Sequence, residues 1–267
     1  MENFGDLVTY FTYDYVQRAL FVGVLVASSA ALLGVTLVLK RLSMIGDGLS
    51  HVGFGAMALA LVLHWAPIAV AMPVVMVAAF FLLRLGENSF IKGDVAVAMI
   101  SGSSLALGLL LAGSVNVNIN SFLFGSILAM GKEDAILGAV LALMVLGVCG
   151  FCYHTIFAIT FDEEFVHAVG APIRLYKSVI GMMVAVIIVV GMRIMGALLI
   201  SSLIIFPGVI AMRVCGSFWG VMRSAVVISV VNFIVGMIVS IVWNLQPGAS
   251  IVLVHTVVFV VVWVLRR

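Results

Sequence analysis

Apolar positions run almost unbroken along this chain, and polar ones gather in short clusters between the runs. Predominantly apolar stretches of roughly 17–25 residues can cross a bilayer as helices. Nine candidates of about that length or slightly less occur, at about 15–39, 46–64, 67–84, 94–113, 134–153, 178–192, 196–213, 222–243 and 250–265. The pattern predicts an all-α integral membrane protein, a polytopic bundle of 8–9 transmembrane helices. The sixth stretch is short. The seventh, "GALLISSLIIFPGVIAMRV", carries Pro207-Gly208, so a broken or re-entrant segment that leaves eight full spans is the alternative.

Composition makes the membrane reading compulsory. Hydrophobic residues are 65% of the 267 and charged ones 9%, against about 45–50% and about 25% in soluble domains. The chain must treat lipid as its solvent. No internal repeat, low-complexity tract or Pro- or Ser-rich linker interrupts it. The longest non-spanning stretches, 114–133 and 154–177, are too short for a soluble domain, so one transmembrane domain over 1–267 is expected. The N-terminus "MENFGDLVTYFTYDY" lacks the positive region of a signal peptide and is expected to stay on the mature protein.

Charge sets the orientation. With the N-terminus outside, the inner side holds Lys40, Arg41, Arg84, Lys92, Arg174, Lys177, Arg213, Arg223, Arg266 and Arg267, and the outer side only Arg18, Lys132 and Arg193. Ten against three favours that topology and an odd number of spans. The net charge of +2 is too small to suggest nucleic acid, and Cys149, Cys152 and Cys215 imply no disulfide framework.

Catalytic signatures are missing. The phosphate-cradling GxxxxGK[ST] is absent, because Gly131-Lys132 is followed by Glu133 and no glycine stands five positions earlier. There is no HExxH, and "SGSSLALG" at 101–108 does not supply a GxSG nucleophile site. Transport remains. "TFDEEFVHAVGAPIR", 160–174, puts three acidic residues before a short helical pattern closed by Gly170 and Pro172, which reads either as a handle for another subunit or as a solvated loop.

"LKRLSMIGDGLSHVGFGAMALA", "SFLFGSILA", "TFDEEFVHAVGAP", "GALLISSLIIFPGVIAMRV" and "GMIVSIVWNLQPGASIVLV" follow one another in the order seen in metal-ion ABC importer permeases. The chain resembles this zinc, manganese and iron uptake family from about residue 12 to 265, and looks closest to zinc-uptake permeases of the ZnuB type. It departs from the family at Pro207-Gly208-Val209-Ile210, where P-x-A-A is usual, and in "QPGA" at 246–249, where proline often stands one position earlier. The resemblance implies a homodimeric permease in a bacterial cytoplasmic membrane, two ABC ATPase subunits beneath it and an extracytoplasmic metal-binding protein above. It makes about 162–172 the coupling helix, with Asp162, Glu163, Glu164 and Gly170 engaging the ATPase.

One further feature of the second stretch needs an explanation. At 100° per residue, Asp47, His51, Gly55 and Ala58 share an arc of about 80° on one helix face. A carboxylate and an imidazole at i and i+4 can hold one ion between them, or form a structural pair, or Asp47 can cap the helix start. An ionisable residue inside the membrane is by default a functional candidate. With the resemblance, metal transit through Asp47 and His51 is the favoured expectation. Gly55 and Ala58 would let a partner helix approach, with Pro207 also assigned to helix packing. Two protomers would offer an N₂O₂ set suited to Zn²⁺ and acceptable to Mn²⁺. The metal is cargo, with no permanent cofactor expected; manganese and iron follow zinc. From a different class, an ATP-independent secondary transporter or channel is the runner-up.

The remaining candidates read as structural. "CGFCYH", 149–154, lacks the second ligand pair of a zinc ribbon, and His255 lies within the last span, where it can satisfy a neighbouring carbonyl. His64 sits beside Trp65 at a helix end, His167 belongs to the docking loop, and the 15 methionines are scattered as core filler rather than stacked.

Overall fold

A computed structural model describes residues 12–88, 93–114, 125, 127, 130–161, 163–169 and 172–266. Among these, eleven helices follow one another: α1 Asp14–Leu39, α2 Met44–Val62, α3 Pro67–Asn88, α4 Gly93–Ser114, α5 Lys132–Phe151, α6 Tyr153–Phe161, α7 Glu163–Ala168, α8 Ile173–Met195, α9 Ala197–Val214, α10 Phe218–Trp243 and α11 Pro247–Leu265. No strand occurs among the described residues. Helices suit a chain in lipid, because each backbone N–H and C=O finds its partner within the segment.

All nine expected stretches are helical, with two corrections. The sixth is not short: α8 has 23 residues. Arg174, Lys177 and Arg193 interrupt the apolar run at its ends, but charged side chains at a helix terminus reach polar surroundings and do not stop the helix. The seventh is neither broken nor re-entrant. α9 runs 18 residues straight through Pro207, and the break falls before it, at Gly196, whose φ of 90° only glycine adopts freely. Among the described residues, eight helices are long and apolar enough to span a membrane, and of the nine expected stretches the exception is α3, whose apolar part is Pro67–Leu83. The whole of α3, at 22 residues and 1.5 Å rise each, is about 33 Å long, still enough to cross a hydrocarbon core.

Burial sorts the helices into two layers. α1, α2, α8 and α9 have 61–72% of their apolar windows buried, whereas α4, α5, α10 and α11 have 22–39% and form the outer ring. Lipid offers no hydrophobic reward for helix association, so small residues that allow close approach decide the contacts. At Gly34 a side chain would run into the backbone carbonyl of Ile204, which fixes the α1–α9 crossing. Pro207 is buried, and its neighbour Gly208 lies over the α1 backbone at Val35. At the α5–α8 corner Arg193 pairs with Asp134 at 3.0 Å.

This packing predicts opposite fates for two glycine variants. Gly34→Ala is expected to lower stability by about 1–3 kcal/mol, the usual cost of overpacking against atoms that cannot yield. Gly102→Ala on α4 meets nothing within 4 Å and should be neutral or slightly stabilising, since alanine is the better helix former. Thermal unfolding of both variants in detergent checks the contrast.

Candidate functional site

α2 begins after a tight reversal. Arg41 takes a positive φ of 59°, and the Leu42 N–H reaches back to the Leu37 carbonyl at 2.8 Å, closing α1 as a left-handed residue commonly does. Ser43 is the N-cap residue, without a side-chain cap bond, and Asp47 lies in the first turn of α2. Asp47 is therefore not the residue that caps the helix. Its charge still suits the positive end of the helix dipole.

His51 Nε2 stands 3.6 Å from Asp47 Oδ2, with the imidazole 19% and the carboxylate 41% exposed. That is too long for a good hydrogen bond. With metal–oxygen and metal–nitrogen bonds of about 2.0–2.2 Å, one ion bridging the two atoms would subtend about 120°, open to tetrahedral or trigonal coordination. His51 Nδ1 is buried without a hydrogen-bond partner among the described residues. Such an orphan is uncommon and calls for an explanation. Among the described residues no group of three or more His, Cys, Asp or Glu converges, so one protomer offers a pair and not a closed cage.

Gly55 faces a closely approaching helix, which is α4 of the same chain. A side chain at Gly55 would come within 2.8 Å of the Ser104 carbonyl of α4, and Ala58 is buried. α2 is thus seated on α4 and α3, with Ile204 of α9 touching Gly46 beside Asp47.

The segment expected to dock the ATPase contains two short helices among its described residues, α6 and α7. α7 exposes Glu164 and His167 and buries Val166 against Ile159 of α6 and Ile173 of α8, a small cluster separate from the main core. Asp162 and Gly170 lie outside the described residues, as does the side chain of Glu163.

The other candidates are not gathered into a site. His64 adopts a positive φ of 56° in the exposed turn after α2. His255 places Nδ1 2.9 Å from the Ile251 carbonyl. Cys149, Cys152 and Cys215 are all free thiols. What the sequence reading missed is an aromatic cluster joining α6 to α10. Its one legible trace is the four-residue spacing of Tyr153, Phe157 and Phe161.

Comparison with known proteins fits this geometry. Residues 12–266 match the model of the ABC 3 transport family. The chain is 30% identical to the high-affinity zinc uptake system membrane protein ZnuB of Buchnera aphidicola, over 86% of this chain and 90% of that one. It is 25% identical to the manganese transport system membrane protein MntC of Halalkalibacterium halodurans, over 93% and 86%. Among solved structures, PsaBC from Streptococcus pneumoniae in complex with Fab superposes with a TM-score of 0.87 at 25% identity, covering 97% of this chain and 95% of that one. The chain accordingly belongs to the ABC 3 transport family, as a multi-pass membrane permease of metal-ion import and not an ATPase.

Proposed function

We propose that this permease carries divalent metal, zinc first, as a homodimer in which Asp47 and His51 of each protomer form a way-station on the shared axis. The observation that carries the reading is the 3.6 Å carboxylate–imidazole spacing on α2 beside a buried, unpartnered Nδ1. Two such pairs supply N₂O₂, a donor set zinc accepts in tetrahedral geometry. A transit site must replace the water an ion sheds, yet release the ion when the helices move. Two ligands per protomer, one of them half open to solvent, suit that better than a rigid four-ligand cage. The zinc assignment draws on the likeness to a zinc uptake protein; manganese and iron remain the alternatives within the family, and selectivity also depends on geometry and metal availability.

In this reading the chain is a single permease domain in a bacterial cytoplasmic membrane, N-terminus outside and C-terminus inside. Two copies of a separate ATPase sit beneath it and an extracytoplasmic metal-binding protein delivers the ion. An ATP-independent carrier or channel is the opposing class, and its flux would survive ATP depletion.

Four experiments bear on this. Asp47→Asn and His51→Ala should each abolish zinc-dependent growth or uptake while the complex still assembles; wild-type rates in both would make the pair structural. Protons compete for the imidazole lone pair, so metal retained by the purified dimer should fall with acidification, and the His51→Ala baseline should lack that dependence. Glu163→Ala combined with Glu164→Ala should weaken ATPase co-purification and uptake but leave metal binding intact, and unchanged recovery of the complex would refute the docking role. Cross-linking in membranes should trap a pair of permease chains, whereas a monomer competent in transport would sink the dimer.

A further inference from the structure

Five aromatic rings and an arginine crowd together where α6 meets the start of α10. Tyr153, Phe157 and Phe161, spaced four apart, form one stripe along α6. Phe218 lies against all three, with ring centres at 5.6, 5.2 and 5.7 Å. Trp219 meets Tyr153 edge-on at 4.9 Å, and the Arg223 guanidinium sits 4.4 Å over the Trp219 ring. These are favourable aromatic and cation–π arrangements. Aromatic residues at a membrane boundary often serve only as an interfacial belt that faces the lipid headgroups. Phe218 does not face outward: it is 8% exposed, beneath rings that are themselves partly open.

The placement of this cluster gives it a consequence. α6 and α7 are separated by one residue, and the Ile159–Val166–Ile173 cluster binds α7 to α6, which itself is seated in the main core through Ile156. The aromatic stripe fastens α6 sideways onto α10. α10 in turn holds α1, since Ser229 donates to the Ala27 carbonyl at 3.0 Å and Phe233 packs against Gly23. α1 crosses α9 at Gly34 and Ile204, and Ile204 touches Gly46, the residue before Asp47.

We infer that the Tyr153, Phe157 and Phe161 stripe seated on Phe218 is the joint through which displacement of α7 reaches α10, so that Phe218 is a positioning residue for coupled transport. The inference rests on the reading of α7 as the ATPase-docking helix. Rings interlocked at several angles resist sliding in more than one direction, which a single aliphatic contact does not. Contiguity alone does not make a pathway, so the test must separate coupling from docking.

Phe218→Leu keeps an apolar side chain and removes the ring; Phe157→Leu does the same at a half-open position that tolerates change. Phe151→Leu is the control, since Phe151 is 92% exposed and stands at the end of α5 beside the cluster. Each variant is reconstituted in proteoliposomes with its ATPase and metal-binding protein, and ATPase co-purification, ATP hydrolysis and zinc uptake are measured together. Phe218→Leu and Phe157→Leu should retain the ATPase and continue to hydrolyse ATP, while zinc carried per ATP falls by at least about fivefold, the lower range for coupling between distinct sites. The control should match wild type. A wild-type uptake ratio in Phe157→Leu or in assembled Phe218→Leu overturns the joint, as does an equal loss in the control. Loss of the ATPase from both ring variants also overturns it, because the cluster would then be a docking scaffold. If the Glu163 and Glu164 variant instead keeps both complex and uptake, it is the docking reading that fails, independently of the ring variants.

Discussion

In a bilayer the backbone has no water to turn to, and the consequences reach well beyond making the chain helical. Hydroxyl groups inside the bundle fall under the same rule. Ser28, Ser202 and Thr256 donate to carbonyls three or four residues back on their own helices, at 2.7, 2.8 and 2.9 Å. Ser29 also reaches the Ala142 carbonyl of α5, and Ser229 that of Ala27 on α1, so two of these hydroxyls stitch helices together. Lipid is as apolar as leucine, so what remains to order the helices is close packing through small residues. Gly34 against Ile204, and Gly208 over Val35, fix the α1–α9 crossing on which the inner layer is assembled.

Against that accounting the exceptions become informative. Among the described residues, three buried side-chain nitrogens lack a partner: His51 Nδ1, Asn232 Nδ2 and His255 Nε2. The two histidines have the same chemistry and lie on membrane-length helices, yet their surroundings differ. His255 is wholly buried, its other nitrogen is occupied by the Ile251 carbonyl, and Phe206 flanks its ring. His51 is partly open and has a carboxylate 3.6 Å away. An ion needs both access and a counter-charge, and of the two only His51 has them among its described neighbours.

Much of this was legible in the sequence because the membrane imposes a coarse, long-range pattern. Apolar runs located all nine long helices, and spacing alone put Asp47 and His51 on one face. Where the reading erred, the signal was local and the structure non-local. Charged residues near the ends of α8 truncated it in a hydropathy reading, although terminal charges leave a helix intact. Pro207 suggested a break, but one missing hydrogen bond inside a packed helix is tolerated in a membrane bundle. Spacing put Gly55 on a helix-packing face, but it says nothing about which helix covers that face; here it is α4 at Ser104. The Phe218 contacts join residues some sixty positions apart, and no single-chain pattern encodes such a pairing.

The difference between the close-packed bundle and the short helix α7 bears on how the proposed two-ligand site could work. α2 is held on three sides, by α4 at Gly55, by α3 and by Ile204 of α9 at Gly46. Packing on these sides would make its Asp47 end move with the bundle and not on its own, keeping the carboxylate–imidazole spacing in the proposed transport cycle. α7, by contrast, shares its small cluster, among the described residues, with α6 and the start of α8. In the proposed homodimer, a site whose ligands keep their spacing within each protomer would still lose affinity if the two protomers separated, since each would supply only half of an N₂O₂ set. Release then needs no rearrangement of Asp47 against His51. It needs relative motion of two rigid halves, the kind of displacement packed helices transmit most readily because they shift as units rather than deform.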